Sequence, residues 1–376
     1  MSDVRSALAA DRARTLASGR GAAGLRGAEE VWDRLAAASD NFTQHRAWAR
    51  ACAEAFPERE TRVVAVGDRA LVPLARRWPG LGAWEMLGPT LLSSPADFMY
   101  SDPDALDMLC AGLARSATAL FLDRVHVDSP TLAALRRAYR GRGVLLGFPA
   151  PAAPWISLEP PASAPERLFS AHRRKALRHA RNRAARLGEI RAQVLSPTPA
   201  ELPPLLDEFY RVEASGWKGR LGTALAKDPH WGPLVRRYAA DAAEQGVLRL
   251  GVLRIGGRVA AMDLGIELGR RLWSLKFGYD EAFAHCYPGN LITLEMVRYA
   301  YERGLGAYEL MGVHAGYKSR WTRSARPCQS VLVYPVVPRS LTAMLADFAY
   351  LVRRRLGRMV LEMQADRARR HPPHVP

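Results

Sequence analysis

Between residues 246 and 334 the chain runs through extended and helical patterns in an order that few folds accommodate. Residues 247–255 and 258–268 are two apolar runs joined by Gly256-Gly257, a pair free to adopt the positive φ angles of a tight hairpin. Residues 272–279 read as a third strand, rich in aromatics, and end in the turn-prone stretch 280–290. Pro288-Gly289-Asn290 then reads as a helix start, with Asn290 the expected N-cap and Leu291, Leu294, Val297 and Ala300 at helical spacing. Gly304 and Gly306 close this helix, and a fourth strand and a short helical stretch carrying Tyr317 follow.

A strand that turns through small residues into a helix leaves backbone N–H groups unpaired at the helix start, where the peptide dipoles sum to roughly half a positive charge. Such an end attracts phosphate, and Gly289, lacking a Cβ, lets a pyrophosphate come close to the backbone. Pro288, Gly289, Asn290 and Leu291 are therefore the candidate cofactor-binding set, although the same turn also serves as a plain connector.

Together with that order of elements, Glu213, Gly216-Trp217-Lys218-Gly219, Gly222-Thr223-Ala224, Tyr287-Pro288-Gly289 and Gly316-Tyr317-Lys318 with Trp321 carry a resemblance. The chain resembles the GNAT N-acyltransferase superfamily and, more narrowly, its CelD-like (cellulose-biosynthesis acetyltransferase-like) family, related to the Fem aminoacyltransferases. The resemblance spans roughly residues 29–335. It departs from the usual superfamily loop, a Gln or Arg followed by spaced glycines, in having a single Gly after Pro288. It implies an α/β (α+β) fold of two tandem GNAT-like units, each a mixed, mostly antiparallel sheet flanked by helices, followed by a C-terminal helix. It also implies acetyl-CoA or another acyl-CoA as donor and an amine or hydroxyl acceptor, such as a saccharide or cell-envelope precursor. A Fem-like ligase fed by aminoacyl-tRNA and a non-catalytic accessory protein of polysaccharide assembly are the alternatives.

The expected divisions are a flexible leader at 1–28, a degenerate N-terminal unit at 29–160, an acyltransferase unit at 166–336, and a basic helix and tail at 337–376. The proline-rich stretch 149–165 is the expected linker. With 54 Lys plus Arg against 37 Asp plus Glu, the 376 residues carry a net charge of +17, which favours anionic partners. The charge concentrates on residues 168–188, an amphipathic pattern with Leu177, Ala180 and Ala184 on one stripe. Arg173, Arg174, Lys175, Arg178, Arg181, Arg183 and Arg186 surround that stripe, and the segment reads either as a solvated face over an apolar seam or as an anion-binding or interdomain element, RNA contact included. A second such pattern, 340–370, reads as a packed helix or a peripheral contact with an anionic membrane. The four cysteines match no zinc or CxxC spacing, and no run reaches the roughly 18 apolar residues of a membrane span, so a cytoplasmic protein without metal is expected. The sequence does not specify an oligomeric state.

Acyl transfer from a thioester needs an oriented donor, an acceptor relieved of a proton, and a group to meet the leaving thiolate. The resemblance gives the last role to Tyr317, with buried packing as its alternative. Lys318 beside it is a candidate for steadying a phosphate or an oxyanion. Asp280, next to Tyr279, is the first candidate base and Glu309 the second. Glu213, Trp217 and Lys218, near one helix face, are candidate substrate-binding residues with Thr223 and Tyr279. Gly141, Gly143 and Gly147 follow a helix and lack the GxGxxG spacing of a dinucleotide-binding loop, and no GxSxG elbow, HExxH or Walker lysine appears.

Overall fold

In the computed structural model, residues 12–78, 81–92, 94–95, 97–159, 165–216, 224–314, 316–349 and 352 are described. The N-terminal half runs β1 (Arg14–Arg20), α1 (Glu29–Ala36), α2 (Arg46–Ala55), β2 (Glu60–Val66), β3 (Ala70–Trp78), β4 (Leu81–Met86), β5 (Met99–Tyr100), α3 (Pro103–Arg115), β6 (Leu120–His126), α4 (Pro130–Tyr139) and β7 (Gly143–Ser157). The C-terminal half follows with α5 (Ala171–Ala185), β8 (Ile190–Leu195), α6 (Leu202–Ala214), α7 (Trp231–Glu244), β9 (Leu248–Ile255), β10 (Arg258–Leu268), β11 (Arg271–Tyr279), α8 (Pro288–Glu302), β12 (Ala307–Glu309) and β13 (Ala325–Pro335). Residues 338–349 form a further helix.

The strands are apolar on both faces because helices cover both. In β2, Val63 and Ala65 pack toward Trp32 and Trp48 of α1 and α2, while Val64 and Val66 pack toward Leu106, Leu109 and Leu113 of α3. In β9, Leu250 and Val252 meet α6 and α7, while Leu253 and Ile255 meet Ala180 and Ala184 of α5 and Ile292 of α8. One core crosses both halves. Phe42 and Trp48 from the first stack edge-on or tilted against Tyr238 and Trp273 from the second, with ring centroids 5.0 to 5.7 Å apart.

The halves repeat a topology. In each, an antiparallel set of strands ends in one (β4, β11) that is followed by a helix (α3, α8) and then by a parallel neighbour (β6, β12). The strands join into one sheet of order β1-β2-β3-β4-β6-β13-β7-β12-β11-β10-β9-β8, with β5 beside β3. The junction is an exchange: β13, from the C-terminal half, lies antiparallel between β6 and β7, and the end of β7 pairs with β12.

Two expectations are corrected here. Residues 14–20, read as part of a flexible leader, form β1 and pair with β2 along the sheet edge. The proline-rich stretch read as a linker is in large part β7, whose residues 143–154 pair with β13, whereas β12 pairs only with 155–157. Pro149, Pro151 and Pro154 thus sit where one edge of β7 lacks a ladder and a missing N–H costs nothing.

Strand β11 packs tightly on α6, because a Cβ at Gly278 would lie 2.7 Å from Glu213 Cα. Gly278→Ala is therefore expected to push α6 off the sheet and to destabilise the protein by about 1 to 3 kcal/mol, read as a lower urea midpoint at unchanged slope.

Candidate active site

The parallel pairing of β11 with β12 lasts three residues, from Arg271↔Ala307 to Trp273↔Glu309. Beyond it the strands part: β11 continues to Tyr279, while the chain after β12 follows β7, with Leu310 N–H donating to Pro154 O and His314 N–H to Ala152 O. The fork opens a cleft of about 410 Å³ lined by Phe277 and Tyr279 of β11, Glu213 of α6, Tyr287, Gly289 and Asn290 at the start of α8, and Tyr317.

Helix α8 begins one turn earlier than expected. Its N-cap is Tyr287, in the left-handed region at φ 51°, and Pro288 fills the first helical position. Asn290 is thus not the cap. Its N–H donates to Tyr287 O at 2.9 Å, and its Oδ1 accepts from Arg173 Nη2 at 3.0 Å. Pro288 has no N–H, so of the first three amides Gly289 is the one left facing outward, in place of a full amide cradle. A Cβ at Gly289 would stand 3.4 Å from Phe277, so its absence leaves room between the helix start and the aromatic wall. Positive charge is added by Arg173, 7% exposed and stacked 3.8 Å over the Trp321 ring, and by Arg183, which lies 5.7 Å over Tyr287. The sequence pattern had put Arg173 on the solvated face of the basic helix. The structure turns it inward and leaves Arg178 and Arg181 outside.

Tyr317 lies across the cleft, its ring edge-on to Phe277 at 5.4 Å. The residue is 39% exposed, yet desolvation, with a smaller contribution from the charge of Asp263, holds its hydroxyl pKa well above the usual tyrosine value. Lys318 folds back and donates Nζ–H to Met311 O at 2.5 Å, and Arg124 Nη2 donates to Gly312 O at 2.8 Å. The two cations thereby grip the turn after β12, where Met311 and Gly312 both have positive φ. Burial, followed by the charges of Arg124 and Lys276, lowers the Lys318 pKa to about 8.

The two candidate bases sit apart from the cleft wall. Asp280 caps the turn after β11 by accepting from Ala282 N–H at 3.0 Å and pairs with Arg258 at 3.5 Å. Glu309, 2% exposed, lies between the guanidiniums of Arg271 and Arg326, the latter at 2.8 Å. Glu213 is the carboxylate in the wall; it is 3% exposed and accepts from Leu225 N–H at 3.0 Å. Trp217, Lys218 and Thr223 lie outside the described residues.

Sequence reasoning missed a buried acid. Asp263 of β10, 1% exposed, accepts from Ser274 Oγ at 2.9 Å and from Tyr308 OH at 2.9 Å, and its field reaches Tyr317. Its signal was a carboxylate in the middle of the apolar run 258–268, with apolar residues on both sides.

With this geometry in hand, residues 171–319 match the family described as acetyltransferase (GNAT) domain. No curated protein sequence matches the chain. Among solved structures it is similar to the DUF2156 domain of a lysylphosphatidylglycerol synthetase candidate from Agrobacterium fabrum (13% identity, 86% of this chain and 95% of that one, TM-score 0.57). It is also similar to FemX (13% identity, 82% and 96%, TM-score 0.56) and to a Bacteroides thetaiotaomicron protein of unknown function (15% identity, 82% and 96%, TM-score 0.55). The fold is GNAT-like: a mixed sheet flanked by helices, with the cleft inside the matched segment.

Burial raises the Asp263 pKa from 3.8 to about 6. The folded protein then holds this proton more tightly than the unfolded chain, so the contribution is fully present below about pH 4 and is lost as pH rises through about 6. Asp263→Asn removes the titration. Chemical unfolding across this range is expected to show wild type losing on the order of 2 to 3 kcal/mol relative to the variant.

Proposed function

We propose that the protein is an acyltransferase working in the cleft between β11, α8 and Tyr317, with acyl-CoA, acetyl-CoA first, as donor. The acceptor is an amine or hydroxyl, and the resemblance to the CelD-like family favours a saccharide or cell-envelope precursor. The observation that carries this reading is the convergence, at the fork of β11 and β12, of a tyrosine, a helix start and a buried carboxylate. The acceptor nitrogen or oxygen bonds to the thioester carbonyl carbon, the C–S bond breaks, and the thiolate takes the Tyr317 proton. A hydroxyl with a raised pKa keeps that proton throughout the neutral range. The acceptor's proton passes to Glu213, the carboxylate in the cleft wall, and Lys318, charged below about pH 8, steadies the anionic donor or the oxyanion. The donor diphosphate lies at Gly289 N–H, with Arg173 and Arg183 supplying the charge that a single amide does not.

Acetyl-CoA with a panel of amines and amino sugars is expected to release thiol. Tyr317→Phe should lower kcat by about 100-fold or more while donor KM changes little. No thiol release, and no thermal shift with coenzyme A, would sink the reading.

A second reading, a Fem-like ligase using aminoacyl-tRNA, is favoured by one observation. Arg174, Arg178 and Arg181 of α5, with Arg298 of α8, rim a groove of about 410 Å³ beside α8. On that reading tRNA binds with a steep salt dependence. Neutralising Arg174, Arg178 and Arg181 together reduces the slope of log affinity against log salt by about two to three. Unchanged binding in that variant would eliminate it.

A further inference from the structure

The N-terminal half holds a second polar cavity, of about 210 Å³, on the opposite end of its sheet from the C-terminal ends of β4 and β6. Three guanidiniums line it. Arg62 and Arg76 lie over the Trp84 ring at 4.1 and 4.4 Å, and Arg339 comes from the first turn of the helix at 338–349. Their mutual repulsion is poorly offset: Arg76 meets Glu60 at 2.8 Å, whereas Arg62 and Arg339 meet neutral atoms, Thr118 Oγ1 at 2.8 Å and Ser116 O at 2.8 Å.

Two buried polar atoms at the cavity have no hydrogen-bond partner among the described residues: Arg62 Nε and the hydroxyl of Ser340, a residue 5% exposed that forms part of the lining. Leaving such groups unpaired is costly, of order 1 to 3 kcal/mol each, unless something else bonds them. The helix at 338–349 points its N-terminal end at the same space, adding the partial positive charge of its first turn.

We propose that this cavity binds a phosphate group, held by Arg62, Arg76 and Arg339 with the hydroxyls of Thr118 and Ser340, at a site separate from the acyl-transfer cleft. A tetrahedral oxyanion offers enough acceptor positions for several guanidinium donors and both hydroxyls, which a single carboxylate does not. Burial, then the Arg76 charge, with a smaller contribution from Arg339, depresses the Arg62 pKa to about 10. Bound phosphate would tie the helix at 338–349 to the floor of the sheet. That helix turns Leu341, Leu345 and Phe348 outward, at 55%, 59% and 65% exposure, so the phosphate belongs either to a soluble phosphomonoester or to a lipid headgroup with the apolar stripe resting on the surface.

Thermal-shift and calorimetric titrations of the full chain with inorganic phosphate, glycerol phosphate and sodium chloride at matched ionic strength test the site. Flotation with phosphatidylcholine vesicles, with and without phosphatidic acid, runs alongside. Saturable binding of either soluble phosphate, beyond the chloride effect and weakened about tenfold or more in Arg339→Gln, supports a soluble ligand. Binding confined to phosphatidate vesicles and lost in the same variant supports a headgroup. Arg339 is exposed, so its loss leaves the fold intact, and Ser340→Ala should weaken binding several-fold. Tyr317→Phe must leave binding unchanged. Responses that chloride reproduces, that persist in Arg339→Gln, or that Tyr317→Phe abolishes overturn the proposal.

Discussion

Everything at the cleft depends on how briefly β11 and β12 stay together. Three paired residues fix the parallel alignment, and at their end Glu309 is clamped between Arg271 and Arg326. A carboxylate removed from water between two guanidiniums adds little net stability, since desolvation offsets much of the attraction. Its value is geometric. Misplaced, it would be an uncompensated buried charge, so the fork is held at one register and the strands separate at a defined point. Arg271 also bonds Asp40, and Trp273 Nε1 donates to Asp40 O at 2.9 Å, which ties the same point to the N-terminal half.

That tie is one of several. The aromatic cluster of Phe42, Trp48, Tyr238 and Trp273 belongs to neither half alone, and Arg50 reaches the buried Asp241 at 2.8 Å beside it. Burying four large aromatic rings contributes several kcal/mol. The N-terminal half thus acts as a rigid backing for the cleft, and its own sheet edge is used for continuity with the partner half.

Much of this was legible where local chemistry decides structure. Gly256 and Gly257, both at positive φ, make the hairpin of β9 and β10. Tyr279, read as a substrate-binding candidate, lines the cleft together with Phe277, which the sequence reading did not single out. What stayed hidden was set by non-local pairing. Prolines read as a linker because nothing in their neighbourhood announces that β13, some 180 residues later, will supply a partner on one side only. Asn290 read as a cap because the left-handed turn at Tyr287 has no glycine to signal it. Arg173 looked solvated because its partners, Trp321 and Asn290, come from distant elements. Asp280 and Glu309 were plausible bases by position, and only coordinates reveal the partners that occupy them.

The exchange of β13 also bears on how the chain is made. As synthesis proceeds from the N-terminus, β6 and β7 emerge long before the strand that separates them. Until residue 335 leaves the ribosome, each offers a bare edge of unpaired amides and carbonyls, the kind of surface on which nascent chains stick to one another. The last strand of the described sheet is therefore also its latch.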